Sequence, residues 1–129
     1  MGLNERRKVK ELQETTFPER SKEIAEICGK PVPYEIDWES IAGDAGALNF
    51  IDNVSCHRLN MALRMICQDE IGKEAVREGL RLVKLKNVRN QASTIDFQAG
   101  TLEMHCDYAT GASSIISDNE IRKVLENGL

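Results

Sequence analysis

The chain has 129 residues, of which 41% are hydrophobic and 29% charged, and its 17 Lys and Arg against 21 Asp and Glu leave a formal net charge of −4 at pH 7. This composition predicts one folded domain over residues 1–129 and excludes a disordered chain. The acidic balance argues against nucleic acid or an anionic membrane as the main partner, and no apolar run approaches the roughly 18 residues that a spanning helix needs.

Residues 1–16 predict a charged, peripheral N-terminal helix. Its apolar side chains, Leu3, Val9 and Leu12, are too sparse to form a wide buried stripe. Pro18 predicts an interruption, because the residue before a proline avoids the α conformation, and Pro18 can then open a second helix. That second helix is predicted to end at Gly29.

The four cysteines are widely scattered and lack the spacing of a disulfide framework. They are Cys28, Cys56, Cys67 and Cys106. We therefore expect reduced thiols in a cytoplasmic protein. Charged residues begin at Glu5, without an apolar run before or directly after them, so the sequence predicts no secretory signal.

A strand and a long helix are predicted in the middle of the chain. Residues 34–39 alternate with period two, which places Tyr34, Ile36 and Trp38 toward the core. Residues 45–67 follow as one helix whose apolar side chains spread over about half of its circumference. Such a wide arc is typical of a central helix that is covered on more than one side.

Three strands are predicted in the second half of the chain, over residues 82–88, 94–98 and 101–108. A two-residue loop at residues 99–100 would place Phe97 opposite Leu102 and Ile95 opposite Met104. The apolar side chains then share one face, which favours an antiparallel meander.

Together these elements predict the α+β fold class. We expect a small antiparallel sheet, formed by the three-stranded meander and a possible fourth strand at residues 34–39, packed on the long central helix. Flanking helices are predicted before residue 29, over residues 70–81 and after a capping box at residues 117–120.

The outward face of this sheet is the best-defined polar surface in the sequence. It should present Thr94, Asp96, Gln98, Glu103, His105 and Asp107, with Lys84 and Lys86 from the first strand of the meander. The hairpin register places Asp96 directly opposite Glu103, and two like charges repel unless a cation lies nearby. With His105 adjacent, this pair has the residue types of an acid–base site, and a solvated face with ordinary charge pairing is the alternative.

The long helix carries further polar candidates. His57 and Arg64 share its narrow non-apolar side, along with Asn49, Asn53, Cys56, Asn60 and Cys67. This side has the residue types to line a pocket with a thiol nucleophile, and it equally fits a surface that faces solvent. Arg58 lies within the apolar arc, so its guanidinium should either extend to the edge of the helix or pair with a carboxylate (Asp37, Asp44 or Asp52), and a ligand-binding role is the alternative.

Two Cys-His pairs raise the question of zinc. They are Cys56-His57 in the long helix and His105-Cys106 in the last strand. Adjacent residues diverge by 100° on a helix and point to opposite faces of a strand, so neither pair delivers both members to one ion. The sequence therefore predicts no metal site, and it predicts no cofactor because phosphate-binding and α/β-hydrolase motifs are missing.

Three functions stay open. The leading hypothesis is a non-catalytic cytoplasmic module that binds or regulates a protein partner through an acidic polar surface. The alternatives are a small-molecule-binding or enzymatic domain with its site between the long helix and the sheet, and a homo-oligomeric structural protein. The candidate binding residues are Asp96, Glu103, His105, Asp107, His57, Arg64 and Arg58.

Overall fold

The first part of the chain is helical. In the computed structural model, which describes residues 2–129, α1 (Leu3–Glu11), a π-helical turn (Leu12–Thr16) and α2 (Phe17–Cys28) form one continuous helical segment. The chain is not interrupted at Pro18 as predicted, because the wide π turn, closed by a Phe17 N–H to Leu12 C=O bond, gives the proline ring room. Pro18 does lie in the first turn of α2, and the predicted end of that helix at Gly29 is confirmed. The side chains of α1 are not buried, whereas Leu12 is fully buried.

A short strand precedes the long helix. β1 covers only Tyr34–Ile36, because the Asp37 carboxylate accepts a hydrogen bond from the Ser40 N–H and caps α3 (Trp38–Ile41). Trp38 therefore belongs to a helix and not to the predicted strand.

The long helix itself is confirmed. It consists of α4 (Ala45–Phe50), a π-helical stretch (Ile51–Cys56) and α5 (His57–Ile66), and it is called the long helix below. The remaining elements are α6 (Glu70–Gly79), β2 (Leu82–Asn87), β3 (Thr94–Gln98), β4 (Thr101–Cys106), two 3-10 turns (Tyr108–Thr110 and Ala112–Ser114) and α7 (Asp118–Gly128).

The four strands form one sheet in the order β1-β2-β4-β3. β1 and β4 both run parallel to β2, and β3 runs antiparallel to β4. The α+β class and the fourth strand are confirmed. The predicted antiparallel meander is wrong, because the sheet is mixed and β4 lies between β2 and β3. The connection over residues 88–93 leads from β2 past the position of β4 to β3 at the edge of the sheet. The predicted order and the observed order place the same side chains on the same face, because alternation along each strand sets the face.

The predicted hairpin register is confirmed. Ile95 lies opposite Met104 and Phe97 opposite Leu102, as two-residue loop geometry requires. Ala99 and Gly100 have φ values of 52° and 83°, the left-handed conformation that matches the twist of the paired strands.

The core lies between the helices and one face of the sheet. The sheet contributes Val83, Leu85, Leu102 and Met104, each at most 1% exposed, and the helices contribute, among others, Ile51, Leu59, Leu63, Ile121 and Leu125. The opposite face of the sheet has no such apolar layer and carries the alternate side chains, which are polar apart from Leu82.

A disulfide joins two helix ends. Cys28 is the last residue of α2 and Cys67 follows the last residue of the long helix, and their Cα atoms are 5.7 Å apart. The expectation of four reduced thiols is therefore wrong for these two, because the fold brings together residues that are 39 positions apart. Cys56 and Cys106 are free and buried. Across residues 2–129, none of the helices combines the length and the apolar character needed to cross a membrane.

Candidate functional site: the open face of the sheet

The face of the sheet that turns away from the core carries six charged or titratable side chains. We call it the open face and define it by Glu35, Lys84, Lys86, Asp96, Glu103 and His105. One row crosses all four strands in the order Glu35, Lys84, Glu103, Asp96. In the neighbouring row, Lys86 lies beside His105.

Charge pairing on the open face is incomplete. Lys84 Nζ lies 3.3 Å from Glu35 Oε2, and His105 Nε2 lies 2.5 Å from Glu103 Oε2. Asp96 lies opposite Glu103 and has no cationic partner among residues 2–129. The row therefore ends, on the β3 side, in two neighbouring carboxylates of which Asp96 is unpaired.

A cavity of about 380 Å³ lies over the other side of this face, toward β1. It is lined by Glu35, Ile36, Asp37, Lys84, Leu85, Lys86, Glu103 and His105. These side chains supply carboxylates, ammonium groups and an imidazole, but no hydroxyl or thiol nucleophile. The arrangement is suited to contacts with a charged surface.

Of the residues predicted to form the site, Asp96, Glu103 and His105 do come together on the open face. Asp107 does not, because β4 ends at Cys106 and the carboxylate of Asp107 turns into the neighbouring loops. Hydrogen bonds from Thr110 and from the Asn90 N–H (3.0 Å) lower the pKa of Asp107. Its predicted place on the outward face is wrong, and its contacts organise the two loops at this end of the sheet.

Arg58 contacts backbone carbonyl groups, and within residues 2–129 it pairs with no carboxylate. Its Nη1 donates hydrogen bonds to the carbonyl oxygens of Ala112 (3.0 Å), Ile115 (2.6 Å) and Ile116 (3.4 Å). The predicted carboxylate partner is wrong, because the irregular segment before α7 presents the carbonyl groups of Ile115 and Ile116, which no helix or strand satisfies.

His57 and Arg64 lie exposed on the long helix. His105 lies on the open face, on the far side of the sheet from the core. The three residues proposed to share a pocket between helix and sheet are thus not brought together, and the space between those layers is filled by apolar side chains.

The free thiols are buried away from the open face. Burial raises the pKa of both Cys56 and Cys106, and the nearby Asp52 carboxylate raises that of Cys56 further. A nucleophilic cysteine needs an accessible thiolate, so neither environment favours thiol catalysis. Within residues 2–129, no cluster of three or more His, Cys, Asp or Glu side chains is placed to hold a metal ion.

A second polar cluster, which the sequence reasoning missed, lies where α2 packs against the long helix. We call it the helix seam and define it by Arg20, Glu23, Asp52 and Asn60. Arg20 Nε lies 2.7 Å from Asp52 Oδ1, Arg20 Nη1 lies 2.9 Å from Glu23 Oε1, and Asn60 Nδ2 donates to Glu23 Oε1 at 2.8 Å. Burial alone would raise the pKa of Glu23, but the hydrogen bond and charge of Arg20 lower it.

In the sequence, one side of the helix seam corresponds to three residues of the long helix that are four positions apart, Asp52, Cys56 and Asn60. Such a spacing also describes the solvent side of an amphipathic helix. The structure buries Cys56 and Asn60, because α2 covers this side of the long helix.

Comparisons of the chain with models of protein families, with curated proteins and with solved structures find no match.

Proposed function

We propose that the protein is a non-catalytic interaction module whose open face binds a protein partner that carries basic side chains. The observation that supports this most is the pair of neighbouring carboxylates, Asp96 and Glu103, at the exposed end of the charged row. Facing like charges destabilise a sheet unless a cation lies nearby. A partner that supplies a lysine or arginine would relieve this repulsion when it binds.

The other functions have less support. A small-molecule or enzymatic site between the long helix and the sheet lacks both space and convergent polar groups, because His57, Arg64 and His105 lie apart. Nucleic acid as a partner is disfavoured by the net charge of −4. Self-association through the open face is the remaining alternative, and the experiment below distinguishes it from binding of another protein.

The test is affinity purification of the tagged protein from the cells that make it, with identification of stoichiometric partners by mass spectrometry. The open-face variant Asp96→Lys/Glu103→Lys should lose the partner. The matched control Glu74→Lys/Glu78→Lys makes the same charge change on exposed positions of α6 that form no ion pair with residues 2–129, and it should keep the partner.

Retention of the partner by both double variants, or purification of the wild-type protein as a monomer without any protein partner, would contradict the proposal. Light scattering of the purified protein identifies self-association, because a homo-oligomer appears as a multiple of the chain mass. Loss of that oligomer in the open-face variant would identify the partner as a second copy.

We also propose a cytoplasmic location, which rests on the two cysteines that stay unpaired, Cys56 and Cys106. The Cys28–Cys67 disulfide weighs against it, because the cytosol keeps most protein thiols reduced. Alkylation in denaturant of freshly broken cells decides the matter, because Cys28 and Cys67 are buried in the folded protein. A Cys28–Cys67 pair protected from alkylation until reductant is added would contradict the cytoplasmic location.

A further inference from the structure

We propose that the partner contributes an extended segment that adds to the sheet as a fifth strand along the free edge of β3, with a lysine or arginine beside Asp96. This inference rests on the proposed function and specifies how the partner binds. Addition of a strand to a sheet edge is a common mode of peptide recognition, in which main-chain hydrogen bonds give affinity and alternate side chains give specificity.

The backbone of β3 has unused hydrogen-bonding groups at this edge. In a two-residue hairpin the residues next to the loop, here Gln98 and Thr101, exchange hydrogen bonds, and the ladder then alternates. Asp96 therefore bonds to β4, and the N–H and C=O groups of Ile95 and Phe97 point away from it. No hydrogen bond within residues 2–129 joins these outward groups to another part of the chain.

The charges on the open face indicate what the added strand should carry. Across the sheet the row reads acid, base, acid, acid, and it ends at Asp96 on the edge strand. The next position outward lies about 5 Å away on any added strand, within reach of a cross-strand ion pair. A basic residue there would complete the alternation and would give the unpaired Asp96 carboxylate a cation.

The side of β3 that faces the helices indicates that apolar residues should flank the basic residue on the added strand. Ile95 and Phe97 point toward the helices but stay partly exposed, in contrast to the fully buried Leu102 on β4. Apolar side chains on the added strand, on either side of the basic residue, would extend this half-covered layer. The expected segment therefore alternates apolar residues with a central lysine or arginine.

A second copy of the chain fits this edge less well. A symmetric antiparallel pair of β3 strands that matches all five residues of the strand places Asp96 opposite Asp96 of the copy. The charge at the centre of the edge therefore opposes self-pairing and favours a basic segment.

The probe is a library of random octapeptides displayed on phage and selected against the intact protein. Selected peptides should alternate apolar residues with a central lysine or arginine. Ile95→Pro removes an outward N–H without removing a bond to β4, and its ring obstructs an incoming strand, so it should abolish peptide binding. Asp96→Lys should weaken binding about tenfold, and the control Ile95→Val should bind as the wild type does.

Failure to enrich peptides of this pattern, or equal binding by folded Ile95→Pro and wild-type protein, would overturn strand addition. If Ile95→Pro does not fold, amide exchange of the wild-type protein decides: bound peptide should slow exchange at Ile95 and Phe97, and unchanged exchange there overturns the proposal. If Asp96→Lys/Glu103→Lys loses the cellular partner and Ile95→Pro keeps it, the proposed function stands and strand addition is contradicted. If both variants keep the partner, the proposed function and strand addition are both contradicted.

Discussion

The helix seam and the open face both bring charged side chains of neighbouring elements together, yet they differ in burial and in pairing. At the seam, the side chains of Arg20 and Asp52 are 21% and 14% exposed, and Arg20 contacts both carboxylates. On the open face, Lys84 and Glu35 are 45% and 59% exposed, and Asp96 has no cation.

This difference separates charges that hold the fold from charges that are free to bind. Removal of one member of a partly buried pair leaves the other desolvated and unpaired, which is costly. An exposed pair is screened by water and salt, so its contribution to stability is small. We therefore expect changes at the seam to act on stability and changes on the open face to act on binding.

The largest expected effect is at the end of the seam, where the disulfide joins the same two helices. Cys28→Ala/Cys67→Ala should lower the free energy of unfolding by about 4 kcal/mol, because the bond closes a long loop in the unfolded chain. Urea unfolding measures this change. Reductant should lower the stability of the wild-type protein toward that of the variant and leave the variant unchanged; a wild-type curve that does not respond would contradict the assignment.

Arg20→Ala tests the seam itself. It should cost about 2–3 kcal/mol in urea unfolding, because the carboxylates of Asp52 and Glu23 lose their shared cation. The control Arg6→Ala removes an exposed arginine from α1 and should stay within about 0.5 kcal/mol of the wild type. Equal stability of the two variants would remove the distinction between seam and surface.

Acid unfolding sharpens the comparison further. The folded-state pKa of Glu23 lies below its usual value of 4.5, so its contribution is present above about pH 4.5 and is lost as the pH falls through the folded pKa. Glu23→Gln should flatten the decline of melting temperature between pH 5 and pH 3. At neutral pH, Glu23→Gln should lower the free energy of unfolding by less than Arg20→Ala does, because Glu23 is the more exposed partner. An unchanged decline of melting temperature with acid would show that Glu23 does not titrate as proposed.

The smallest effect on stability is expected on the open face. Asp96→Thr removes one of two facing carboxylates and should change the free energy of unfolding by no more than about 0.5 kcal/mol, in the stabilising direction. The same variant should weaken partner capture. A destabilisation above about 1 kcal/mol would mean that Asp96 has a structural role.

Much of the open face was predictable because it depends on local geometry. The loop at residues 99–100 sets the hairpin register, and the register places Asp96 opposite Glu103 with His105 two residues further along β4. The prediction was wrong at Asp107, the first residue after β4. The alternation of the sequence continues through Asp107, although the strand ends at Cys106.

The partners of Arg58 and Arg20 were not predictable in the same way. Arg58 bonds to carbonyl groups more than 50 residues away, and Arg20 bonds to Asp52 on another helix. An arginine accepts any carboxylate or carbonyl partner, so its sequence position does not select one. The choice depends on which carbonyl and carboxylate groups the fold places near the guanidinium.

By itself, the sequence determined most of the helices and strands, the hairpin register and which side chains share a face within each regular strand, because these follow from periods of two and 3.6 residues and from turn geometry. Only the tertiary structure decided that β4 lies between β2 and β3, that Cys28 meets Cys67, and that α2 covers one side of the long helix. These are contacts between distant parts of the chain, and alternation along one element specifies its buried face without specifying the neighbour that covers it.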